Sequence, residues 1–432
     1  MAVGIALSVI IIYFAFEVLM IKNKMNINWG LILMAVIMMA LVSIAFPGHI
    51  GFQDWIALCS QGAFTYSGMI ITFILYGVFG ATLYEGGIIT ALIIWALKIS
   101  SKSGVLVMLL AFYAAAFVAA LGGGTFVVIM LGASLLLALG VPKKWAAIIS
   151  VMPTASSYLL TVPIYSTIEA TTGITQQELL PYAAAISIAA TLCHIIVIIG
   201  FVKTHYLEPD QERLNALLTE NEGRKVYKIT FLLPLVPVVM ILGLGLNSTF
   251  TFIVSSAITM LVSQIGQKTT LEEISASAAR AFKKGAGDAG NLAGLMICIG
   301  ILVQAVNTPA VKECFVAFFM MVIPESKLGI MILFGLLGVF GTSFRGIGGT
   351  TGMGISIMLA MLSMPQFTPF QVACFWAALA FPGVAIDPLA GNAVIGCEYA
   401  GGISNSEYLG ISLPVNALPT LIGIAAVVFG AL

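Results

Sequence analysis

Long apolar runs separated by short polar breaks dominate this chain, and their lengths set the first expectation. Apolar runs lie at 2–21, 29–46, 66–84, 86–98, 104–121, 125–140, 145–166 and 180–202. A polar stretch from Lys203 to Lys228 follows, and then runs at 230–246, 249–265, 289–306, 308–323, 328–344, 351–364, 370–396 and 408–431. A helix of about 20 apolar residues crosses the hydrocarbon core of a bilayer, so the longer runs predict transmembrane helices. The run from Ala2 to Ile21 reads as the first of them, since it has neither the basic leading segment nor the small-residue cleavage site of a signal peptide.

The order of long, short and broken runs occurs twice. Ser67-Gly68-Met69 opens a stretch leading to Gly122-Gly123-Gly124-Thr125, and Ala293-Gly294-Leu295 opens one leading to Gly348-Gly349-Thr350-Thr351. Both ends are offset by 226 residues (294 − 68 and 348 − 122). Further on, Pro153 matches Pro382, Glu169 matches Glu398, and Gly173 to Glu178 match Gly402 to Glu407, all offset by 229 (382 − 153). A nearly constant offset over so long a stretch marks an internal duplication. It divides the chain into a first repeat at 1–202, a linker at 203–229 and a second repeat at 230–432.

Charge sets the expected orientation, because cytoplasmic loops collect Lys and Arg. With both termini outside, fifteen of the eighteen basic residues fall on the cytoplasmic side, the linker among them, and Lys312, Lys327 and Arg345 are the exceptions. Matched loops then lie on opposite sides, so the two repeats have inverted topology. The short runs 86–98 and 308–323 are expected to lie at the interface or re-enter; full spans would put Lys98 and Lys102 outside. Residues 50–64 and 271–284 read either as amphipathic helices lying flat as arms or as plain loops. The expected fold is an all-α polytopic membrane protein of two inverted repeats, each with a re-entrant hairpin and a proline-broken helix. It has about ten net crossings besides the hairpins.

Composition agrees. Hydrophobic residues make up 60% of the 432 and charged residues 8%, against ~25% charged in a soluble domain, so lipid has to be the solvent. Net charge is zero and no basic tract suggests nucleic acid. The six cysteines form no CxxC pair and the three histidines are scattered. They predict no metal site beyond a possible bound Na+, no other cofactor, and no disulfide framework.

Three features carry candidate chemistry. Gly122 to Thr125 and Gly346 to Gly352 interrupt apolar stretches. Each is either an extramembrane turn or the tip of a hairpin dipping to the midplane, since a broken backbone in lipid is tolerated only where protein or water satisfies it. A helix beginning at such a tip offers free N–H groups to an anion. Next, Pro153 to Pro163 and Pro382 to Asn392 break their helices, and freed carbonyls beside hydroxyls can hold a cation; a simple packed kink is the alternative. Last, Arg345 and Asp387 place charge at membrane depth, where it is costly and usually functional. Arg345 could grip a carboxylate and Asp387 could carry a coupling ion, or the two could pair and fasten helices.

Two inverted halves, each with a glycine-threonine tip and a proline-broken helix, resemble the ion transporter superfamily of secondary carriers. The Ser-Asn-Thr tip of its dicarboxylate branch is replaced here by Gly-Gly-Gly-Thr and Gly-Gly-Thr-Thr. The resemblance implies a scaffold domain, a mobile domain carrying both hairpins, elevator-type movement, a homodimer and a place in a bacterial inner membrane.

The leading expectation is cation-coupled symport of a small organic anion, with the anion, the coupling cation and the lipid bilayer as partners. Gly123, Gly124, Thr125, Ser156, Ser157, Arg345, Gly349, Thr350, Thr351 and Asn392 are the expected substrate contacts. Thr154, Thr161 and Asp387 are the expected coupling-ion ligands. A Na+/H+ antiporter using Asp387 is the alternative. An enzyme acting on a lipid-linked phosphate fits less well, because membrane-depth acids are too few for its chemistry.

Overall fold

The computed structural model describes residues 2–22, 24–100, 104–121, 125–160, 168–169, 171–210, 212, 226–265, 269–341 and 353–430. Among them the chain is helical, with no strand. The first half holds α1 (Ala2–Ile21), α2 (Ile27–Ala45), α3 (Phe52–Phe64), α4 (Ser67–Glu85), α5 (Ile88–Ser100), α6 (Val105–Leu121), α7 (Thr125–Ala138), α8 (Lys143–Tyr158) and α9 (Gln176–Thr204). The second holds α10 (Ser248–Val262), α11 (Leu271–Asn307), α12 (Pro309–Val322), α13 (Lys327–Val339), α14 (Met353–Leu362), α15 (Pro369–Ala385), α16 (Gly391–Tyr399) and α17 (Asn405–Gly430).

Among the described residues, four helices are long and apolar enough to cross a membrane: α1, α2, α9 and α17. Two bent pairs raise the number to six, α4 with α5 at 63° and α11 with α12 at 79°. Each bend comes where the sequence analysis separates a short run from a long one. Gly86-Gly87 makes the first, with Gly87 at φ +71°. Pro309 makes the second, because it has no N–H to continue α11. Other apolar runs counted toward ten crossings form helices of 10–17 residues. The 14 residues of α7 reach ~21 Å, short of a hydrocarbon core of ~30 Å.

Two expectations are corrected. The stretch 271–284 is not a separate arm: it is the opening of the 37-residue α11. Thr270 and Glu273 start that helix as a reciprocal cap, at 2.7 and 3.2 Å, and nothing breaks it before Asn307. Its counterpart α3 is separate, ending before Thr65-Tyr66. The run 230–246 is not a plain α-helix either. It is 3-10 over Lys228–Leu235 and π over Val239–Gly243, because Pro234 and Pro237 each remove a backbone donor.

Glycines set how the halves meet. A Cβ on Gly62 of α3 would stand 2.8 Å from Ile301 Cα, and one on Gly77 of α4 would stand 2.6 Å from the Gly285 carbonyl oxygen. Numbers rise along α3–α4 as they fall along α11, so the two run antiparallel with backbones in contact. Helices α9 and α17 are likewise antiparallel: Tyr182 donates to the Gly430 carbonyl at 3.0 Å, and Ile186 lies beside Gly423. Two apolar cores result, and each draws on both halves. One joins Met34 and Met39 to Phe315 and Phe375; the other joins Phe79 and Phe112 to Phe252 and Tyr408. Helices α8 and α15 pack against each other in the middle, and their inner turns are buried throughout.

Candidate functional site

Both central helices stop inside the protein. In α8, Pro153 cannot donate to the carbonyl one turn back. The hydroxyls of Thr154 and Ser157 bond within the helix, to the Val151 carbonyl (2.7 Å) and the Thr154 carbonyl (3.1 Å). The helix ends at Tyr158. Helix α15 ends at Ala385, and a turn at 386–390 precedes α16. Pro388 forces this break, since it lacks an N–H and disfavours a helical Asp387. Asp387, 5% exposed, accepts from the Leu389 N–H at 2.8 Å and so holds the turn. The second break is therefore a real exit from the helix, not a packed kink, and α8 ends at Tyr158.

An ended helix leaves carbonyls without donors, and here side chains of α9 and α17 supply them at matched positions. Ser187 on α9 donates to the Ser156 carbonyl at 2.6 Å. Asn416 on α17 donates to the Ala385 carbonyl at 3.4 Å, aided by Tyr408 at 3.1 Å. Both the carbonyls (385 − 156) and their donors (416 − 187) are 229 apart. Ser412 adds a bond to the Ile386 carbonyl at 3.3 Å.

His194 ties the two breaks together. It is fully buried where α6, α8, α9 and α17 meet, with Phe381 of α15 at 6.1 Å between ring centres. Its Nε2 lies 2.8 Å from Asn416 Oδ1. The amide nitrogen of Asn416 donates to the Ser412 carbonyl at 2.8 Å, so Oδ1 has to accept and Nε2 has to carry a proton. The other ring nitrogen, Nδ1, faces Ser156 Oγ at 2.9 Å and the Tyr113 hydroxyl at 3.1 Å. Those two hydroxyls are 2.8 Å apart. A continuous polar chain thus runs from the end of α8 through His194 to the end of α15, wholly inside apolar packing.

The first hairpin borders this region. Tyr76 of α4 donates to the Ala120 carbonyl (2.8 Å) and so accepts from Thr125 (2.9 Å), bridging the last turn of α6 and the first of α7. Phe112 of α6 and Ser150 of α8 both border Gly132 of α7.

Of the expected site residues, Thr154, Ser156 and Ser157 are buried on the last turns of α8, Asp387 holds the second break, Asn392 is half-buried at the start of α16, and Thr125 opens α7. Gly123, Gly124, Thr161, Arg345, Gly349, Thr350 and Thr351 lie outside the described residues. Tyr113, Ser187, His194 and Asn416 are not among the site residues expected from the sequence. Extending the 229 offset into α9 and α17 would have paired Ser187 with Asn416; nothing local marks the other two. Glu169, Glu313 and Glu398 are exposed, while Glu85 takes Arg280 of α11 at 3.2 Å. Among the described residues no three His, Cys, Asp or Glu side chains converge as metal ligands.

No family model matches the chain, and no curated protein matches its sequence. The fold defines a class only: an all-helical protein with several helices able to cross a membrane.

Proposed function

We propose that this chain is a secondary active transporter that moves a small organic anion, of the carboxylate class, together with a coupling cation, Na+ or H+. The observation that carries the reading is the pair of helices α8 and α15, which end side by side within the protein with their last carbonyls bonded by matched side chains. Interrupted helices at this depth cost backbone hydrogen bonds, and carriers use them to hold ions and substrate near the midplane.

Two further features support the reading. Matched helices run antiparallel, α4 with the end of α11 and α9 with α17, as an inverted duplication requires. Helices α6, α7, α13 and α14 are short, as hairpins that enter and return would be. In this reading the anion binds between the tips near Thr125, Arg345 and Thr350, and the coupling cation binds at the breaks. Alternating access comes from elevator-type movement of the hairpin-bearing bundle within a homodimer.

The test is uptake by the purified protein in liposomes, over a panel of mono-, di- and tricarboxylates, under an imposed Na+ or pH gradient. Concentrative uptake of any one acid, dependent on the gradient, is expected. Absence of gradient-driven uptake across the whole panel would sink the proposal.

A further inference from the structure

We infer that His194 is the proton-binding site of this carrier, taking up and releasing the coupling proton at Nδ1. The inference rests on the transport reading and names its coupling ion.

The geometry around the ring suits a proton that comes and goes. Nε2 is committed, because Asn416 Oδ1 at 2.8 Å can only accept from it. Nδ1 faces two hydroxyls and no carbonyl, at 2.9 Å from Ser156 and 3.1 Å from Tyr113. A hydroxyl donates or accepts by rotation alone. With the ring neutral, a hydroxyl donates to Nδ1; with the ring protonated, the new N–H donates to a hydroxyl oxygen. The step is the addition of one proton to a neutral imidazole, and no heavy atom needs to move. A histidine kept only for packing would be fixed as firmly by a backbone acceptor at Nδ1, which would hold one protonation state.

Among the described residues, the surroundings hold little other charge. The titratable side chains there are Tyr113 on α6, Tyr158 on α8, Cys193 on α9 itself, and Asp387 and Tyr408 toward the second break. Asp387 is the one carboxylate at the breaks among the described residues. A charge appearing on His194 would bear on both breaks at once, through Ser156 at the end of α8 and through Asn416 on the Ala385 carbonyl. The ring is also sealed, at 0% exposure, which alternating access asks of a coupling site between its two openings.

The chain has three histidines, so the double variant His49→Gln/His205→Gln leaves His194 as the sole imidazole. Solid-state NMR of this variant, 15N-labelled at histidine and held in liposomes, reads each ring nitrogen directly and needs no substrate. Nε2 is expected to stay protonated while Nδ1 passes from bare to protonated as the pH is lowered, before the protein unfolds. An Nδ1 that stays bare until the protein unfolds would overturn the inference, whatever the uptake panel shows. For any acid that the panel finds transported, His194→Gln keeps a donor for Asn416 but cannot carry a proton. It is expected to lose pH-driven accumulation and to retain one-for-one exchange of that acid across the membrane. Accumulation that still follows the pH gradient in this variant would equally overturn the inference. A panel with no transported acid would sink the transport reading while leaving the NMR result to stand on its own.

Discussion

The contact between α4 and α11 gives a sharp test of how the halves are joined. A Cβ at Gly285 would stand 2.5 Å from the Gly77 carbonyl oxygen and 2.5 Å from the Val78 nitrogen, and nearer still to Val78 Cα. Atoms in ordinary contact are ~3.5–4.0 Å apart, so Gly285→Ala forces the helices apart by ~1 Å. All three obstacles are backbone atoms, and no rotamer change relieves them. Overpacking costs ~1–3 kcal/mol, and a clash with backbone on every side belongs at the upper end. The better helix propensity of alanine returns at most ~1 kcal/mol, which leaves a net loss on the order of 2 kcal/mol. Gly287 is the internal control. It lies two residues further along α11, and nothing is within 4 Å of where its Cβ would be. Gly287→Ala should therefore gain up to ~1 kcal/mol from propensity alone. Thermal unfolding of both variants and the wild type in one detergent makes the comparison. Gly285→Ala should melt lowest and Gly287→Ala at or above the wild type. Equal melting of the two variants would refute the close crossing and, with it, the antiparallel seam between the halves.

Other parts of the structure give further expectations. Asn416→Ala leaves the buried His194 Nε2–H without its acceptor and should cost ~1–3 kcal/mol. Ser187→Ala leaves only the Ser156 carbonyl unbonded, so its melting temperature should fall less; the reverse order would argue against the network. Asp387→Asn keeps the acceptor that bonds the Leu389 N–H, so it should fold like the wild type, whereas Asp387→Ala should lose ~1 kcal/mol or more. A folded Asp387→Asn protein with unaltered ion coupling would show that the carboxylate serves only the turn. Lys144 and Glu407 pair at 2.8 Å with side chains 52% and 42% exposed, so Lys144→Ala should change stability by less than ~1 kcal/mol. A larger change on melting would reveal a role beyond that surface pair.

Much of the helix order was legible because it follows local rules. Paired glycines and a proline that removes a needed backbone donor interrupt a helix locally, so Gly86-Gly87, Pro309 and Pro388 mark breaks that the sequence shows. The fused α11 was not legible. Its Gly285, Gly287, Gly290 and Gly294 look like interruptions, but Gly285 lies against the backbone of α4, and that packing keeps the helix continuous. His194 was passed over for a similar reason. A lone histidine in an apolar run reads like any packed side chain, and its partners come from α6, α8 and α17, up to 222 residues away. Ser156 lies within the proline-marked segment at the end of α8, but the side chain that bonds its carbonyl sits 31 residues on, in another helix.

The interleaving of the two cores bears on how the chain is made. Phe79 waits for Phe252, and Met39 waits for the helices around Phe315 and Phe375, so neither core can close while only the first half has left the ribosome. During synthesis α7 and α8 are made well before α16, which packs against both and lies more than 230 residues downstream (391 − 158). Burial of these helices is thus a late event, set by the arrival of the C-terminal third, and a stalled or truncated chain would present unfinished apolar faces to the machinery that clears misassembled membrane proteins.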